Sequence, residues 1–96
     1  MNLKKIDAKI TGVVIRTFYV ADGNITISCK IPKTHGTVLV VAGSLCCSIR
    51  VLTDGKCVTS IESITATLEN DILTVTTGGL VWYTNGFCII SEELIL

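Results

Sequence analysis

More than a third of this chain is β-branched: isoleucine, threonine and valine supply 36 of its 96 residues. Two heavy atoms on Cβ make these side chains stiff in a helix and well suited to the pleated surface of a sheet. No window places apolar residues at helical spacing, whereas short apolar runs alternate with turn-forming dipeptides. The sequence therefore predicts a fold made of strands.

The turn-forming dipeptides recur at intervals of roughly 8 to 12 residues, a spacing typical of sandwiches and barrels. They are Asp22-Gly23, His35-Gly36, Gly43-Ser44, Asp54-Gly55, Asn70-Asp71, Gly78-Gly79 and Asn85-Gly86. We predict an all-β chain, an antiparallel and jelly-roll-like β-sandwich of about eight short strands with no helix. Residues 10–96 would form this single domain. Residues 1–9 would form an arm that docks on a partner or, alternatively, a frayed first strand.

Three of the dipeptides predict hairpins with two-residue loops: Asp22-Gly23, Asp54-Gly55 and Asn85-Gly86. The cross-strand pairs predicted next to these loops are Val20 with Ile25, Val51 with Val58, and Tyr83 with Cys88. The first hairpin would have one apolar and one polar face, since Val20, Phe18 and Ile25 fall on one side. The third would be apolar on both faces.

Two segments are apolar on both faces of the strand that each would form, namely Val38–Ala42 and Trp82–Ile90. A two-layer sandwich buries only one face of each strand, so the second face needs another cover. Since no helix is predicted, we expect that cover to be another subunit, either a second copy of the chain in a dimer or trimer or a neighbour in a larger assembly. The alternative is that Trp82 and Phe87 cap an open end of a barrel. The candidate interface residues are Val38, Leu39, Val40, Val41, Trp82, Tyr83, Phe87 and Ile89.

The cysteines match no familiar metal or disulfide pattern. There are five of them, at positions 29, 46, 47, 57 and 88, with no Cys-x-x-Cys pair and a single histidine, His35. An odd number cannot close a disulfide framework. We expect small buried side chains in a reducing compartment, with no metal and no cofactor.

The sequence offers no catalytic constellation, and we expect no enzyme and no catalytic residue. Nucleophilic catalysis needs a base beside a Ser or Cys, and His35 lies in a predicted turn. Gly78-Gly79 lacks the lysine and helix of a phosphate-binding loop. Eight basic residues balance eight acidic ones, which argues against a nucleic-acid partner.

A ligand site is predicted around the last hairpin. Trp82 and Tyr83 place aromatic faces beside the amide of Asn85, a combination that could hold a sugar ring. The alternative is that both aromatic residues are core or interface anchors, where Trp and Tyr are common.

The N-terminus does not read as a targeting segment. Lys4 and Lys5 could begin a signal peptide, but Asp7, Lys9 and Thr11 interrupt the apolar stretch that should follow. No apolar run approaches the roughly 20 residues that cross a bilayer. We expect synthesis in a cytoplasm without a signal peptide, and no membrane insertion.

Three segments carry a resemblance to a known class of proteins: Gly-Thr-Val-Leu-Val-Val-Ala-Gly (36–43), Leu-Thr-Val-Thr-Thr (73–77) and Tyr-Thr-Asn-Gly-Phe (83–87). Together with the helix-free Thr/Ile/Val-rich strands, they resemble small structural proteins of bacteriophage virions, such as head-fibre, capsid-decoration and tail-fibre tip domains. The resemblance implies a non-enzymatic dimer or trimer, located in the virion, that docks on other virion proteins of a capsid or tail. It also allows contact with a host-surface glycan, so a carbohydrate-binding or host-recognition module is the alternative function. No binding residue carries over, because no motif matches.

Overall fold

The structure is a computed structural model that describes residues 12–96. It contains eight strands and one 3-10 turn, and these residues include no α-helix. The strands are β1 (Val13–Val20), β2 (Asn24–Ser28), β3 (His35–Ala42), β4 (Leu45–Leu52), β5 (Cys57–Thr59), β6 (Thr65–Glu69), β7 (Ile72–Thr76) and β8 (Thr84–Ser91), and the turn is η1 (Glu92–Leu94). The prediction of an all-β chain with about eight short strands is confirmed. The expected arm, residues 1–9, lies outside the described residues.

The strands form two antiparallel sheets. The larger sheet has the order β1-β8-β3-β4-β5 and the smaller has the order β2-β7-β6. The pairs β1–β8 and β2–β7 are nested around the middle of the chain, as in a jelly roll. The strands β3, β4 and β5, however, follow one another as a meander on the larger sheet. The jelly-roll part of the prediction is therefore not confirmed.

Side chains from both sheets meet in a single buried cluster. Each strand contributes alternate residues, so that Val38, Val40 and Ile90 of the larger sheet join Leu73 and Val75 of the smaller one. This alternation follows from the period of two along a strand. The cluster accounts for one face of each sheet and leaves the other face of each directed away from the core.

The Asp22-Gly23 dipeptide does not close the predicted hairpin. β1 pairs with β8 along its whole length and β2 pairs with β7, so that Val20 and Ile25 lie in different sheets. Only a single bridge, between Ala21 and Asn24, links the two strands. The prediction of which side of each strand is apolar is nonetheless correct, since Val20 and Ile25 are both buried. Alternate residues along a strand point to the same side whether their partner lies in the same sheet or across the core.

The Asp54-Gly55 hairpin exists, but its register is one residue away from the prediction. Val51 lies opposite Cys57 and not opposite Val58. The loop has three residues, since the Leu52 N–H donates to the Lys56 carbonyl at 2.8 Å and Gly55 adopts a φ of 87°. A glycine in the left-handed region is the usual closure of a three-residue hairpin loop.

Two other dipeptides predicted as turns lie inside strands. His35-Gly36 begins β3, and Asn85-Gly86 belongs to β8, so the predicted pairing of Tyr83 with Cys88 is wrong. Gly86 lies opposite Phe18, and a Cβ at Gly86 would be 2.7 and 2.8 Å from two carbons of that ring. The same Cβ would be 2.5 Å from the backbone oxygen of Val41, so the glycine allows close approach of a neighbouring strand and an aromatic ring rather than a reversal of the chain.

The C-terminal segment is anchored to the core. Leu94 of η1 is fully buried, and its carbonyl accepts a hydrogen bond from the Lys30 N–H at 2.9 Å. Its side chain occupies the space beside Gly36, where a Cβ would be 2.7 and 2.9 Å from the two δ carbons. The absence of a side chain at Gly36 therefore allows the last turn to pack against β3.

Candidate functional site

The outer face of the larger sheet carries a continuous apolar surface. Ile15 of β1 lies opposite Ile89 of β8, which lies opposite Leu39 of β3. In the next row Phe87 lies opposite Val41. We call these five residues the apolar face. They alternate with buried residues along their strands, so their side chains point away from the core.

Much of this surface is open to solvent in the monomer. The side chain of Ile15 is 66% exposed and that of Phe87 is 39% exposed, while Leu39, Val41 and Ile89 are half-buried by their neighbours. Large contiguous apolar patches of this kind on soluble proteins usually mark contacts with another macromolecule.

Charge is almost absent from the outer face of the larger sheet. Among the outward positions of its described strands, Arg50 of β4 is the only Lys, Arg, Asp or Glu, and it lies at one end of the sheet, opposite Thr37 and Val58. Depletion of charge at the centre with polar residues at the rim is the composition of a protein interface.

The smaller sheet has the opposite character. Its outer face is formed largely by threonines, and we call these residues the threonine face: Thr26, Thr65, Thr67, Thr74 and Thr76. Thr26 and Thr67 lie on either side of Thr74 in one cross-strand row. The chain therefore places hydroxyl groups where one sheet meets water and apolar groups on the matching face of the other.

The predicted interface residues do not share one surface, since some lie on the apolar face, some in the core, and Trp82 and Tyr83 in a loop. Leu39 and Val41 lie on the apolar face together with Phe87 and Ile89. Val38 and Val40 instead point into the core and are 0% exposed, so they are closed to a partner on the outer face. Sequence reasoning missed Ile15, although β1 begins with three consecutive apolar residues, a signal that its first half is apolar on both sides.

Trp82 and Tyr83 lie in the loop between β7 and β8, at one end of the sandwich. Trp82 lines a shallow depression of about 340 Å³ together with Asp22, Asn24 and Thr76, and with glycines 23, 78 and 79. The hydroxyl of Tyr83 donates a hydrogen bond to Oδ1 of Asp22. This bond raises the pKa of Tyr83, since the carboxylate favours the protonated phenol.

Asn85 does not join this depression. It lies on the outer face of β8 opposite Tyr19, so the predicted ligand triad of Trp82, Tyr83 and Asn85 is not assembled as one set. The polar partners of Trp82 are instead Asp22 and Asn24, which the sequence separates from it by more than 50 residues.

The cysteines do not form a disulfide, and Cys46 is the exposed one. Burial raises the pKa of Cys29 to about 11, and it also raises the pKa of Cys57 and of Cys88. Within residues 12–96, no group of three or more His, Cys, Asp or Glu side chains is placed to hold a metal ion. His35 lies exposed at the start of β3.

Comparison with protein-family models, with curated proteins and with solved structures found no match to this chain. In the part of the chain that the structure describes, no helix is long and apolar enough to cross a bilayer. Function must therefore be inferred from the residues and their geometry.

Proposed function

We propose that this chain is a non-enzymatic structural protein that self-associates through the apolar face of its larger sheet and serves as a fibre or decoration subunit of a virus particle. The observation that carries the self-association is the row Ile15–Ile89–Leu39, which places three large aliphatic side chains side by side on the outer face of the sheet. Water contact at this row costs free energy that a second apolar surface would recover.

The contrast between the two sheets supports a partner on the larger one. Both sheets use the same alternation, and the threonine face shows that the chain can place polar side chains outward. If both faces met water, the apolar face would be expected to carry similar residues. A cover for the larger sheet alone accounts for the difference.

The size of the face indicates what kind of partner fits. The apolar face is the central part of the outer surface of β1, β8, β3 and β4, four strands of eight residues each, which spans about 26 Å by about 19 Å, or about 500 Å² in plane, from the standard rise and spacing of strands. A standard interface buries about 800 Å² per partner. The partner must therefore cover the whole outer face, as another sheet would, and a second copy offers the same surface, with Arg50 as its single Lys, Arg, Asp or Glu among the described strands, in an isologous contact.

Among the described strands, β1 forms one edge of the larger sheet, and this edge is less suited to the association. β1 is an edge strand, and Arg16 in its middle points inward, where its guanidinium donates to the Ser28 carbonyl at 3.3 Å. An inward-pointing charge on an edge strand opposes pairing with another strand. Association face to face is therefore favoured over association edge to edge.

The assignment to a virus particle is supported by the resemblance of the 36–43, 73–77 and 83–87 segments to phage structural proteins. The threonine face also suits a crowded assembly, because hydroxyl groups need no counter-ion at a contact. In a phage that encodes this chain, we expect the protein to co-sediment with purified particles in a fixed ratio to the capsid protein. Absence from purified particles would contradict the assignment while leaving self-association intact.

Self-association can be tested with a pair of matched variants. Ile15→Lys introduces a charge at the most exposed position of the apolar face, and Ile72→Lys makes the same change on the smaller sheet, where Ile72 is 47% exposed. Light scattering should show the first variant as a monomer and the second at the wild-type mass. Equal masses for both variants and the wild type would contradict the proposed interface.

A further inference from the structure

The depression beside Trp82 combines an exposed aromatic ring with polar side chains from two other elements. Trp82 is 58% exposed. Asp22 and Asn24 come from the junction of β1 and β2, and Thr76 comes from the end of β7. Its volume of about 340 Å³ lies at the lower end of the range for small-molecule sites.

Two glycines lie close to the indole ring of Trp82. A Cβ at Gly23 would lie 3.5 Å from Cε3 of Trp82, and a Cβ at Gly79 would lie 3.9 Å from Cζ2, on the other side of the six-membered ring. Both glycines have positive φ, of 74° and 85°. Both glycines therefore lie close to the six-membered ring without a side chain to cover it, and Trp82 as a residue is 58% exposed.

Hydrogen bonds fix the loop that carries the ring. The Gly23 N–H donates to the Trp82 carbonyl at 3.1 Å, and the Thr77 N–H donates to the Gly23 carbonyl at 2.9 Å. The buried hydroxyl of Thr77 donates to the Val81 carbonyl at 2.7 Å. Such pre-organisation lowers the entropy cost of binding a small ligand.

The polar groups at the rim have unused hydrogen-bonding capacity. Oδ1 of Asp22 accepts from the Tyr83 hydroxyl, whereas Oδ2 has no hydrogen-bond partner among residues 12–96. Oδ1 of Asn24 accepts from the Thr76 hydroxyl at 3.1 Å, and its Nδ2 donates to the Asp22 carbonyl at 3.4 Å, so its second N–H has no partner within residues 12–96. The rim thus presents one strong acceptor and one donor close to the ring.

We infer that this depression binds a neutral saccharide, with one face of a pyranose ring stacked on Trp82. A ring hydroxyl donates to Oδ2 of Asp22, and another accepts from Nδ2 of Asn24. A flat apolar surface with a few polar groups that fix orientation is the general composition of a small-molecule site. This site is separate from the apolar face, and the inference does not depend on the proposed function.

The charge of the site restricts the class of ligand. Asp22 is the only acidic residue that lines the depression, and no basic residue lines it. An acidic sugar or a nucleotide would meet a carboxylate with no cation among those lining residues to offset it. A quaternary ammonium group is usually held by several aromatic rings, and Trp82 is the only ring here.

The single tryptophan of the chain makes the test specific, because any change in tryptophan fluorescence or in the indole N–H resonance reports on this depression. The full chain is titrated with the methyl glycosides of glucose, galactose, mannose and N-acetylglucosamine up to about 100 mM, since a single ring is expected to bind in the millimolar range. At least one glycoside should give a saturable change. Asp22→Asn should weaken its affinity by about fivefold or more.

Asp71→Asn provides the matched control, because it removes the same charge from a turn where Asp71, like Asp22, has a positive φ. Its affinity should equal that of the wild type. The inference is overturned if none of the four glycosides gives a saturable change, or if Asp22→Asn and Asp71→Asn bind alike. Tighter binding of N-acetylneuraminic acid, AMP or choline in the same titration would also overturn it.

Discussion

Leu39 and Ile89 lie directly opposite each other on neighbouring strands, and both side chains point away from a core that is already filled from the other side. Cross-strand pairs of this kind stabilise a sheet by roughly 0.2–1 kcal/mol. Their larger effect here is expected in association, since they form the middle of the apolar face.

The first prediction concerns a variant in which threonines replace apolar residues on the outer face of the larger sheet, as they occur on the smaller one. In a variant with Leu39→Thr and Ile89→Thr, threonine retains β propensity and restores a polar outer surface. We expect the free energy of unfolding of the monomer to differ from that of the wild type by less than about 1 kcal/mol. Sedimentation should show self-association weakened by at least about tenfold, which corresponds to 1.4 kcal/mol. Unchanged association would exclude the centre of the apolar face from the contact.

A second prediction concerns Gly36 and Leu94. A Cβ at Gly36 would overlap the buried side chain of Leu94, so Gly36→Ala should destabilise the fold by about 1–3 kcal/mol in urea unfolding. In the background of Leu94→Ala, which itself should cost about 2–5 kcal/mol, the space for a methyl group already exists. In that background, Gly36→Ala should lower the free energy of unfolding by much less than it does in the wild type. Additive losses would contradict direct packing of the two residues.

A third prediction concerns the buried hydroxyl of Thr77. Thr77→Val keeps the shape of the side chain but leaves the Val81 carbonyl without its donor, at an expected cost of about 1–3 kcal/mol. Thr26→Val makes the same chemical change on the exposed threonine face and should alter the free energy of unfolding by less than about 0.5 kcal/mol. Equal effects at the two positions would contradict the proposed role of the hydrogen bond.

A fourth prediction concerns alkaline pH. Burial raises the pKa of Cys29 from 9.0 to about 11, and the neighbouring Cys88 adds to this while Arg16 opposes it. Between these values the folded chain holds a proton that the unfolded chain has released, so stability is full below pH 9 and falls as pH rises towards 11. The expected loss is about 2 kcal/mol.

Cys29→Ala should show a flatter pH dependence of the free energy of unfolding over the same interval, because it lacks the thiol that is protonated only in the folded state. Denaturant unfolding of both proteins at several pH values measures the difference. Parallel curves for wild type and variant would assign the loss to other groups.

The sequence predicted the class of the fold and the orientation of residues along most strands. Leu39 and Val41 alternate with Val38 and Val40, and this period of two separates apolar face from core once the strand is placed in a sheet. The pattern does not show which pair points into the core and which points outward, since all four residues are apolar. Only their burial in the structure shows that Val38 and Val40 point into the core and not towards the candidate interface.

Pairing between strands was harder to predict than orientation. Val20 and Ile25 satisfy the same alternation whether they pair beside a turn or face each other across the core, so the β1–β2 hairpin could not be distinguished from a crossing between sheets. Gly86 resembled a turn residue because glycine often closes hairpins. Its partner, the Phe18 ring, is distant in sequence, and no local signal indicated it.

The mass of the wild-type chain in solution shows directly whether copies of the chain associate. Light scattering over a range of concentrations, with reductant present so that the exposed Cys46 cannot cross-link copies, should give a single mass two or three times the 10.3 kDa of the chain. A stable 10.3 kDa monomer at every concentration would contradict the account, because the apolar face would then meet water without a partner.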